Sequence, residues 1–257
     1  KTWFCKSKLC PVCNWRRAMK NSYQAQKVIE EVVKERPKAR WLFLTLSTKN
    51  AIDGETLENS LKEMTKAFHK LFKYKKVSKN LIGFMRSTEV TVNKNDGSYN
   101  QHMHVLLCVE SAYFRKKENY ITQEEWVDLW QKALQVDYKP VANIKAIKPN
   151  KKGDKDIQAA IKETSKYSVK SSDYLTGNHE KDAEIVSDLE QGLHRKRMLS
   201  YGGLLKQKHK ILNLDDAENG DLIKTSDDET ITDEEEKAHS ITAIWNFEKQ
   251  NYFLKNV

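Results

Sequence analysis

Helix-like and strand-like segments follow one another irregularly along this chain, and that order predicts an α+β fold with a central antiparallel β-sheet flanked by helices. The runs 81–92 and 100–109 are strand-like, and the segment between them is rich in turn-forming residues, as in a β-hairpin with a long loop. Amphipathic helical patterns lie on both sides of this hairpin. Because no regular strand–helix alternation and no internal repeat is visible, a doubly wound parallel sheet is disfavoured.

Each element follows from a local pattern. Apolar residues at helical spacing, cap residues before a helix and dense apolar runs between turn formers predict where the elements lie. The predicted helices are 15–35, 57–72, the segment carrying Trp126, Leu129, Trp130 and Leu134 behind an Ile121-Thr122 cap, and 156–167. The predicted strands are 41–48, 81–92, 100–109 and 141–147.

The formal net charge of +9 is distributed unevenly. Residues 1–213 carry 41 Lys and Arg against 24 Asp and Glu, whereas residues 214–257 carry 4 against 12. A basic body favours a polyanionic partner, because each phosphate that is neutralised by Lys or Arg releases condensed counterions. A lysine-rich surface that serves only solubility is the plainer alternative. The acidic stretch has few apolar residues, so we expect it to be solvated and partly mobile.

We expect four regions along the chain: a Cys-rich turn with the first helix (1–40), a core (41–180), a basic part that is a candidate for DNA binding (181–213) and an acidic tail (214–257). No apolar stretch approaches the ~20 residues that span a bilayer, and no charged-then-apolar leader opens the sequence. We therefore expect a soluble intracellular protein. Since the chain begins at Lys1 rather than at Met, we also expect that an N-terminal piece is missing.

Two histidines, His102 and His104, stand at the mouth of an apolar run. In a β-strand this i, i+2 spacing puts both imidazoles on one face, where they can bind one ion. If residue 93 pairs with residue 100 in the hairpin, Glu89 lies opposite His104 on the same face. Two imidazoles and one carboxylate, with coordination positions left open, suit Mn²⁺ or Mg²⁺ better than a closed structural zinc. The alternative is that these are ordinary strand histidines with satisfied hydrogen bonds.

Three of the four cysteines crowd at the start of the chain, at Cys5, Cys10 and Cys13. In an intracellular chain a Cys-x2-Cys turn more often binds a metal than forms a disulfide. Three thiolates leave a tetrahedral Zn²⁺ one ligand short, and the fourth ligand could be an upstream residue, a histidine elsewhere or water. Structural or redox-idle thiols are the alternative. Cys108, on the histidine strand, is expected to be a small core residue.

A further group of candidates lies on the predicted helix 156–167. Glu163 and Tyr167 are i and i+4 and therefore adjacent on one face, and Lys166 and Lys170 flank the tyrosine. Nearby positive charge favours the phenolate, and a glutamate one turn away can move protons or activate a water. Taken alone, a Glu one turn before a Tyr is common and carries no functional meaning.

In their order along the chain, these motifs resemble those of the replication initiators of small rolling-circle plasmids, which are His-hydrophobic-His endonucleases. The resemblance rests on Cys-Pro-Val-Cys-Asn-Trp-Arg-Arg at 10–17, Phe-Leu-Thr-Leu-Ser at 43–47, the Glu89 strand, His102-Met-His104 and Glu-Thr-Ser-Lys-Tyr-Ser-Val-Lys at 163–170. It continues through Tyr-Gly-Gly-Leu-Leu-Lys at 201–206 to the segment 213–222. Each motif alone is weak, but the ordered set is specific.

The resemblance implies a β-sheet palm within an endonuclease core at 41–180. It also implies a mechanism in which a tyrosine attacks one strand at the plasmid origin, forming a 5′-phosphotyrosyl link and releasing a 3′-hydroxyl that primes replication. A glutamate then activates water to cut the regenerated junction. Tyr174 stays open as a second or as the true nucleophile. The residues that match these roles are His102 and His104 as metal ligands, Glu89 as the third ligand, Tyr167 as nucleophile and Glu163 as the acid that activates water.

The partners implied are plasmid origin DNA, as a single-stranded or stem-loop nick site with flanking duplex, and a host helicase and DNA polymerase in the bacterial cytoplasm. The oligomeric state is not predicted. A nonenzymatic zinc-containing nucleic-acid binding protein and a plasmid mobilisation relaxase are the rival interpretations, although relaxases usually place the tyrosine before the histidines. The candidate DNA-binding residues are Arg16, Arg17, Lys166, Lys170, Arg195, Lys196 and Arg197.

Overall fold

The computed structural model describes residues 4–147, 155–165, 169, 174–216, 218, 220–223, 243–246 and 251–254. The chain divides into two compact units, Lys1–Thr225 and Ser226–Val257. Within the second unit, β6 (Ala243–Asn246) and β7 (Asn251–Leu254) form an antiparallel hairpin. The elements of the first unit are α1 (Pro11–Glu35), β1 (Arg40–Ser47), α2 (Gly54–Leu71), α3 (Lys75–Ser78), β2 (Leu81–Val92), β3 (Tyr99–Val109), α4 (Ala112–Arg115), α5 (Gln123–Leu134), β4 (Ala142–Ile147), α6 (Lys155–Thr164), α7 (His179–Leu193), β5 (Leu199–Gly202) and α8 (Gly203–Ile211).

The sheet of the first unit is five-stranded, with the order β4-β1-β3-β2-β5, and every neighbouring pair is antiparallel. The predicted α+β class with a central antiparallel sheet is therefore confirmed. The histidine strand β3 occupies the middle of the sheet, between β1 and β2. Both of its edges are hydrogen-bonded, which fixes the positions of its side chains.

Helices cover both faces of the sheet, as the alternation of apolar residues along the strands requires. On one face, α2 and α5 pack on residues such as Leu44 and Val105. On the other face, α1, α6 and α8 pack on residues such as Trp41 and Leu106. Cys108 belongs to this second cluster and is fully buried, as predicted for a core residue.

Local sequence signals explain where the helices begin. The Thr122 hydroxyl accepts a hydrogen bond from the Glu125 N–H, and the Glu125 carboxylate accepts one from the Thr122 N–H, so the predicted cap is a reciprocal capping box. Helix α1 begins at Pro11, four residues before the predicted start at 15, with Cys10 as its N-cap. A proline is favoured at the first helical position because its missing N–H needs no partner there.

The glycine pair at 202–203 is required by a close approach between β5, α8 and β2. Gly203 has φ +58°, and a Cβ on it would lie 2.3 Å from the Ile82 carbonyl oxygen. A Cβ on Gly202 would lie 2.2 Å from the Phe84 ring. The Tyr-Gly-Gly-Leu motif at 201–204 thus joins the edge strand to α8. Among the helices described, none combines the length and apolar character needed to cross a membrane.

Candidate active site and nucleic-acid interface

The β2–β3 hairpin brings a carboxylate and two imidazoles together on the sheet face that α1, α6 and α8 cover. Glu89 Oε2 lies 3.0 Å from His104 Nε2, and Thr45 Oγ1 of the neighbouring strand lies 3.4 Å from His104 Nδ1. The His102 and His104 rings stack with their centroids 6.2 Å apart. Glu89, His102 and His104 lie on one face of the sheet, as the sequence predicts.

The predicted register of this hairpin is wrong by two residues. Glu89 pairs with His102 rather than with His104, and Val92 pairs with Tyr99. The reason is that Tyr99 is 2% exposed and belongs to the core, so β3 begins there and the loop is shorter than predicted. A shift of two residues preserves the side-chain parity, and Glu89 therefore reaches His104 diagonally.

The imidazole of His102 has an unsatisfied ring nitrogen. Its Nδ1 is buried and has no hydrogen-bond partner among the described residues. Burial lowers the pKa of His102, the neighbouring His104 lowers it further, and Glu89 opposes the shift. A buried, neutral, unpartnered imidazole beside a His–Glu pair is the donor set that a divalent cation can use. The residues therefore fit a metal, although their ligand atoms do not all lie within 4.8 Å of one another.

Helix α6 carries Glu163 on the same side of the sheet. Ile157, Ala160 and Ile161 of this helix are buried in the cluster that covers the face of the histidines. Glu163 is half-buried in its last turn. The predicted nucleophile Tyr167 and the flanking Lys166 and Lys170 lie outside the described residues. Their relation to Glu163 and to the histidines stays a prediction.

Tyr174, the alternative nucleophile, is a core residue. It is 5% exposed and packs in a cluster with Leu9 and Val169. Its hydroxyl donates a hydrogen bond to the Leu9 carbonyl oxygen, and burial raises its pKa. A buried phenol with a satisfied proton and a raised pKa is a poor nucleophile.

The three N-terminal cysteines form a compact thiol cluster. Their sulfur atoms all lie within 4.8 Å of one another, and Cys5 Sγ is 3.6 Å from Cys13 Sγ. Burial, together with hydrogen bonds to the Cys5 and Cys10 side chains, raises the pKa of Cys13 to about 11. Cys10 is the N-cap residue of α1, and Cys13 lies in its first turn, so the start of this helix positions two of the three thiols. Within the described part of the chain, no histidine or carboxylate joins the cluster, which can therefore hold a metal through three sulfurs.

The two arginines that follow the cysteines hold other parts of the chain. Arg17 is 8% exposed, and its guanidinium donates to the carbonyl oxygens of Lys6 and Ser7 and to Asn14 Oδ1. Arg16 donates to the carbonyl oxygens of Leu222 and Ile223. Arg17, which the sequence predicts to bind DNA, therefore holds the segment before α1 in place. Both arginines are positioned by hydrogen bonds to backbone carbonyl oxygens.

The loop between α7 and β5 carries the other described candidates for DNA binding. Lys196 Nζ lies 3.2 Å from Glu58 Oε1, and Arg197 Nη2 lies 2.8 Å from Asp216 Oδ2. Arg195 is exposed and has φ +52°. These residues are close to one another on the surface, as their sequence order requires.

Residues 214–216, 218 and 220–223, which we call the acidic strap, pack against α1. Lys20 is 5% exposed, and its Nζ lies 2.6 Å from Asp215 Oδ2. Gln24 Nε2 donates to the Asp215 carbonyl oxygen, and the Leu199 N–H donates to Glu218 Oε1. The sequence predicts this stretch to be solvated, because it contains few apolar residues. The missed signal is on α1, where Lys20 and Gln24 recur at helical spacing on the face that meets the strap.

Comparison with known proteins gives a family for the whole chain. Residues 1–253 match the model of a family described as "Replication protein". The chain is 54% identical over 255 residues to a "Protein rep" of Lactiplantibacillus plantarum, covering 99% of this chain and 80% of that protein. It is 55% identical over 237 residues to a "Replication protein" of Staphylococcus aureus, covering 92% of this chain and 100% of that protein. No solved structure matches it.

Proposed function

We propose that this chain, which belongs to the replication protein family and is an initiator of rolling-circle plasmid replication, nicks one strand of the plasmid origin. The proposed nucleophile is a tyrosine. The observation that carries this proposal is the meeting of Glu89, His102 and His104 on one face of the central hairpin, with the His102 Nδ1 unpartnered. Neither a binding module nor a structural zinc protein needs such a donor set.

The three residues would hold Mn²⁺ or Mg²⁺, and such an ion supplies Lewis-acid polarisation of a non-bridging oxygen of the scissile phosphate. Glu89 Oε2 and His104 Nε2, which lie 3.0 Å apart, would face the ion together, and Thr45 Oγ1 would orient the His104 ring from its Nδ1 side. Burial keeps the His102 imidazole neutral and so available as a ligand. We propose no other role for these side chains.

In the proposed first step, the Tyr167 hydroxyl gives its proton to a water molecule and its oxygen attacks phosphorus. The bond from phosphorus to the 3′ oxygen breaks, and that oxygen takes up a proton to become the 3′-hydroxyl primer. The 5′ phosphate stays joined to the tyrosine. In the second step Glu163 takes a proton from water, whose oxygen attacks phosphorus at the regenerated junction; the bond from phosphorus to the 3′ oxygen breaks, and that oxygen takes up a proton. One tyrosine is then sufficient for initiation and termination.

The attacked strand has to be unpaired to reach these groups, so we propose a single-stranded or stem-loop nick site flanked by duplex. The excess of Lys and Arg in residues 1–213 supports binding to the phosphate backbone. Arg195, Lys196 and Arg197 are the described surface residues that we assign to it. A host helicase and DNA polymerase would extend the primer.

We also propose that Cys5, Cys10 and Cys13 bind a structural Zn²⁺. The cluster of sulfurs at the start of α1 supports this assignment, and water or a residue upstream would complete the tetrahedron. Such an ion would fix the segment before α1, to which Arg17 and Tyr174 are also hydrogen-bonded.

The test is to incubate the protein with a labelled single-stranded origin oligonucleotide, with and without Mn²⁺, and to look for an adduct that survives denaturation. Wild-type protein and the Tyr174→Phe variant should form a metal-dependent adduct, whereas Tyr167→Phe should form none. An adduct that persists in Tyr167→Phe and is lost in Tyr174→Phe would refute the nucleophile assignment. No adduct with the wild type on a verified origin would favour the nonenzymatic binding protein.

A further inference from the structure

A cationic cavity of about 640 Å³ lies between residues 6–9, helix α1, the end of α7 and the loop 194–197. Six of its lining residues are Lys or Arg and one is His194, whereas only Glu190 and Glu218 are acidic. The cavity is distinct from the histidine face of the sheet. Its charge suits an anionic ligand.

Several of these cations already have partners. Lys8 Nζ donates to the Leu193 carbonyl oxygen at the end of α7, and Arg17 is hydrogen-bonded to backbone oxygens. Lys196 and Arg197 each pair with a carboxylate. Arg195 is different, because it is exposed and makes no hydrogen bond or ion pair with the part of the chain that is described. Its guanidinium is therefore available to a ligand.

Backbone strain is concentrated at the same cavity. The non-glycine residues with positive φ among those described are Lys6, Gln135, Arg195 and Asn213. Two of these four, Lys6 at φ +57° and Arg195 at φ +52°, are basic, and both line the cavity. A left-handed conformation is unfavourable for a side chain of this kind, and such residues cluster at binding sites.

The cavity also adjoins the candidate active site. A slot of about 20 Å³, which has room for one water, shares Lys8, Arg17 and Glu218 with the cavity. At its other end the slot reaches Ser87, which pairs with His104 across the β2–β3 ladder, and Thr164, which follows Glu163. These residues place the cavity beside the histidine face of the sheet.

We propose that this cavity binds one unpaired nucleotide of the origin strand beside the cleavage point, with Arg195 donating to its phosphate. The inference rests on the proposed function and names a second part of its substrate site. The cavity volume falls in the range of about 300–1,000 Å³ that encloses small ligands. Duplex DNA, in contrast, is bound over extended surfaces of roughly 600 Å² or more.

Arg195→Gly is the informative variant, because it removes the guanidinium and also relieves the left-handed backbone. The protein is titrated, without divalent metal, into a dye-labelled dT strand of about 12 nucleotides and into a duplex of the same length. Arg195→Gly should bind the single strand about tenfold more weakly, with an unchanged or higher melting temperature. Arg195→Asn, which also tolerates positive φ, should lose the same affinity and guards against misfolding of the first variant.

Arg195→Gly makes two changes, the relief of a strained backbone and the loss of one positive charge, and each change has its own control variant. Gln135→Gly relieves the same strain at the end of α5, and Arg115→Ala removes one exposed charge on α4. Neither should reduce single-strand binding more than about twofold. Equal losses in Arg195→Gly and Arg115→Ala would overturn the inference, and so would a greater loss for the duplex than for the single strand.

Failure of the inference can be told apart from failure of the proposed function. If the wild type forms the metal-dependent adduct but Arg195→Gly binds the single strand normally, the cavity assignment is wrong and the nicking mechanism stands. If the wild type forms no adduct but Arg195→Gly loses single-strand binding, the cavity assignment stands and the nicking mechanism is wrong.

Discussion

His102 and His104 have the same side chain two positions apart, yet their surroundings predict different effects on stability. The His104 ring lies 3.0 Å from Glu89 Oε2 and 3.4 Å from Thr45 Oγ1, whereas the His102 Nδ1 is buried and has no hydrogen-bond partner within the described part of the chain. Replacing His104 by Ala should therefore lower the free energy of unfolding of the metal-free protein by about 1–2 kcal/mol. Replacing His102 by Ala should change it less, because no hydrogen bond is lost.

Chemical denaturation in the presence of a chelator would measure this difference, and both variants should lose the metal-dependent adduct. Larger destabilisation by His102→Ala than by His104→Ala would show that His102 is an ordinary strand residue held by packing. Adduct formation at the wild-type level in either variant would remove that histidine from the metal site.

The pattern of residues predicted the shared face of these groups, but it did not predict the hydrogen-bond register. Parity along a strand depends only on local alternation, so Glu89, His102 and His104 could be assigned to one face from sequence. The register depends on whether Tyr99 belongs to the loop or to the core, and that is decided by its packing against α7, where its hydroxyl donates to Asp188. Such a tertiary contact leaves no local signal.

Among the elements, α1 is predicted to depend on a metal at its first turn. Cys10 is the N-cap residue of the helix, Cys13 is buried in its first turn, and Leu9 is the buried apolar residue in the segment 4–9 before it. Removing zinc with a chelator should therefore lower the melting temperature and expose residues 4–10 to protease. Cys13→Ser should do the same and should abolish zinc binding, because oxygen is a poorer ligand for Zn²⁺ than thiolate.

Cys108→Ala is the matched control for this prediction. Cys108 is buried in the sheet core, far along the chain from the cluster, so its replacement should reduce stability while zinc content remains that of the wild type. Purified protein without zinc, and with a melting temperature insensitive to chelator, would show that the three cysteines are structural thiols.

The helices and strands themselves were largely predictable, because their apolar periodicity and caps are local. The helix predicted over 57–72 is α2, and the strand predicted over 81–92 is β2 with the same bounds. The packed acidic strap could not be predicted in this way. Its contacts come from Lys20 and Gln24, nearly two hundred residues earlier in the chain, while its own composition is typical of a solvated segment.

For the whole first unit, the strap joins the acidic stretch to the basic body, and this contact should depend on pH. The hydrogen bond from Lys20 is the main reason why the pKa of Asp215 is lowered in the folded protein. A carboxyl group with a lower pKa in the folded than in the unfolded state stabilises the fold above its unfolded value of about 3.9. That contribution is lost as the pH falls through the folded pKa. Because the Asp215 side chain is 51% exposed, solvent screening keeps the effect small.

The comparison that tests this prediction is the melting temperature of the wild type against Asp215→Asn between pH 7 and about pH 3. At neutral pH the wild type should be the more stable, and the difference should shrink as the pH falls and Asp215 takes up a proton, which makes it resemble Asn. Asp96→Asn is a control on another part of the surface, since the pKa of Asp96 is lowered by hydrogen bonds from Ser98 rather than by a lysine. Adding salt at pH 7 should therefore reduce the Asp215 difference more than the Asp96 difference. A difference between wild type and Asp215→Asn that does not change with pH would mean that the Lys20 contact contributes nothing to holding the strap on α1.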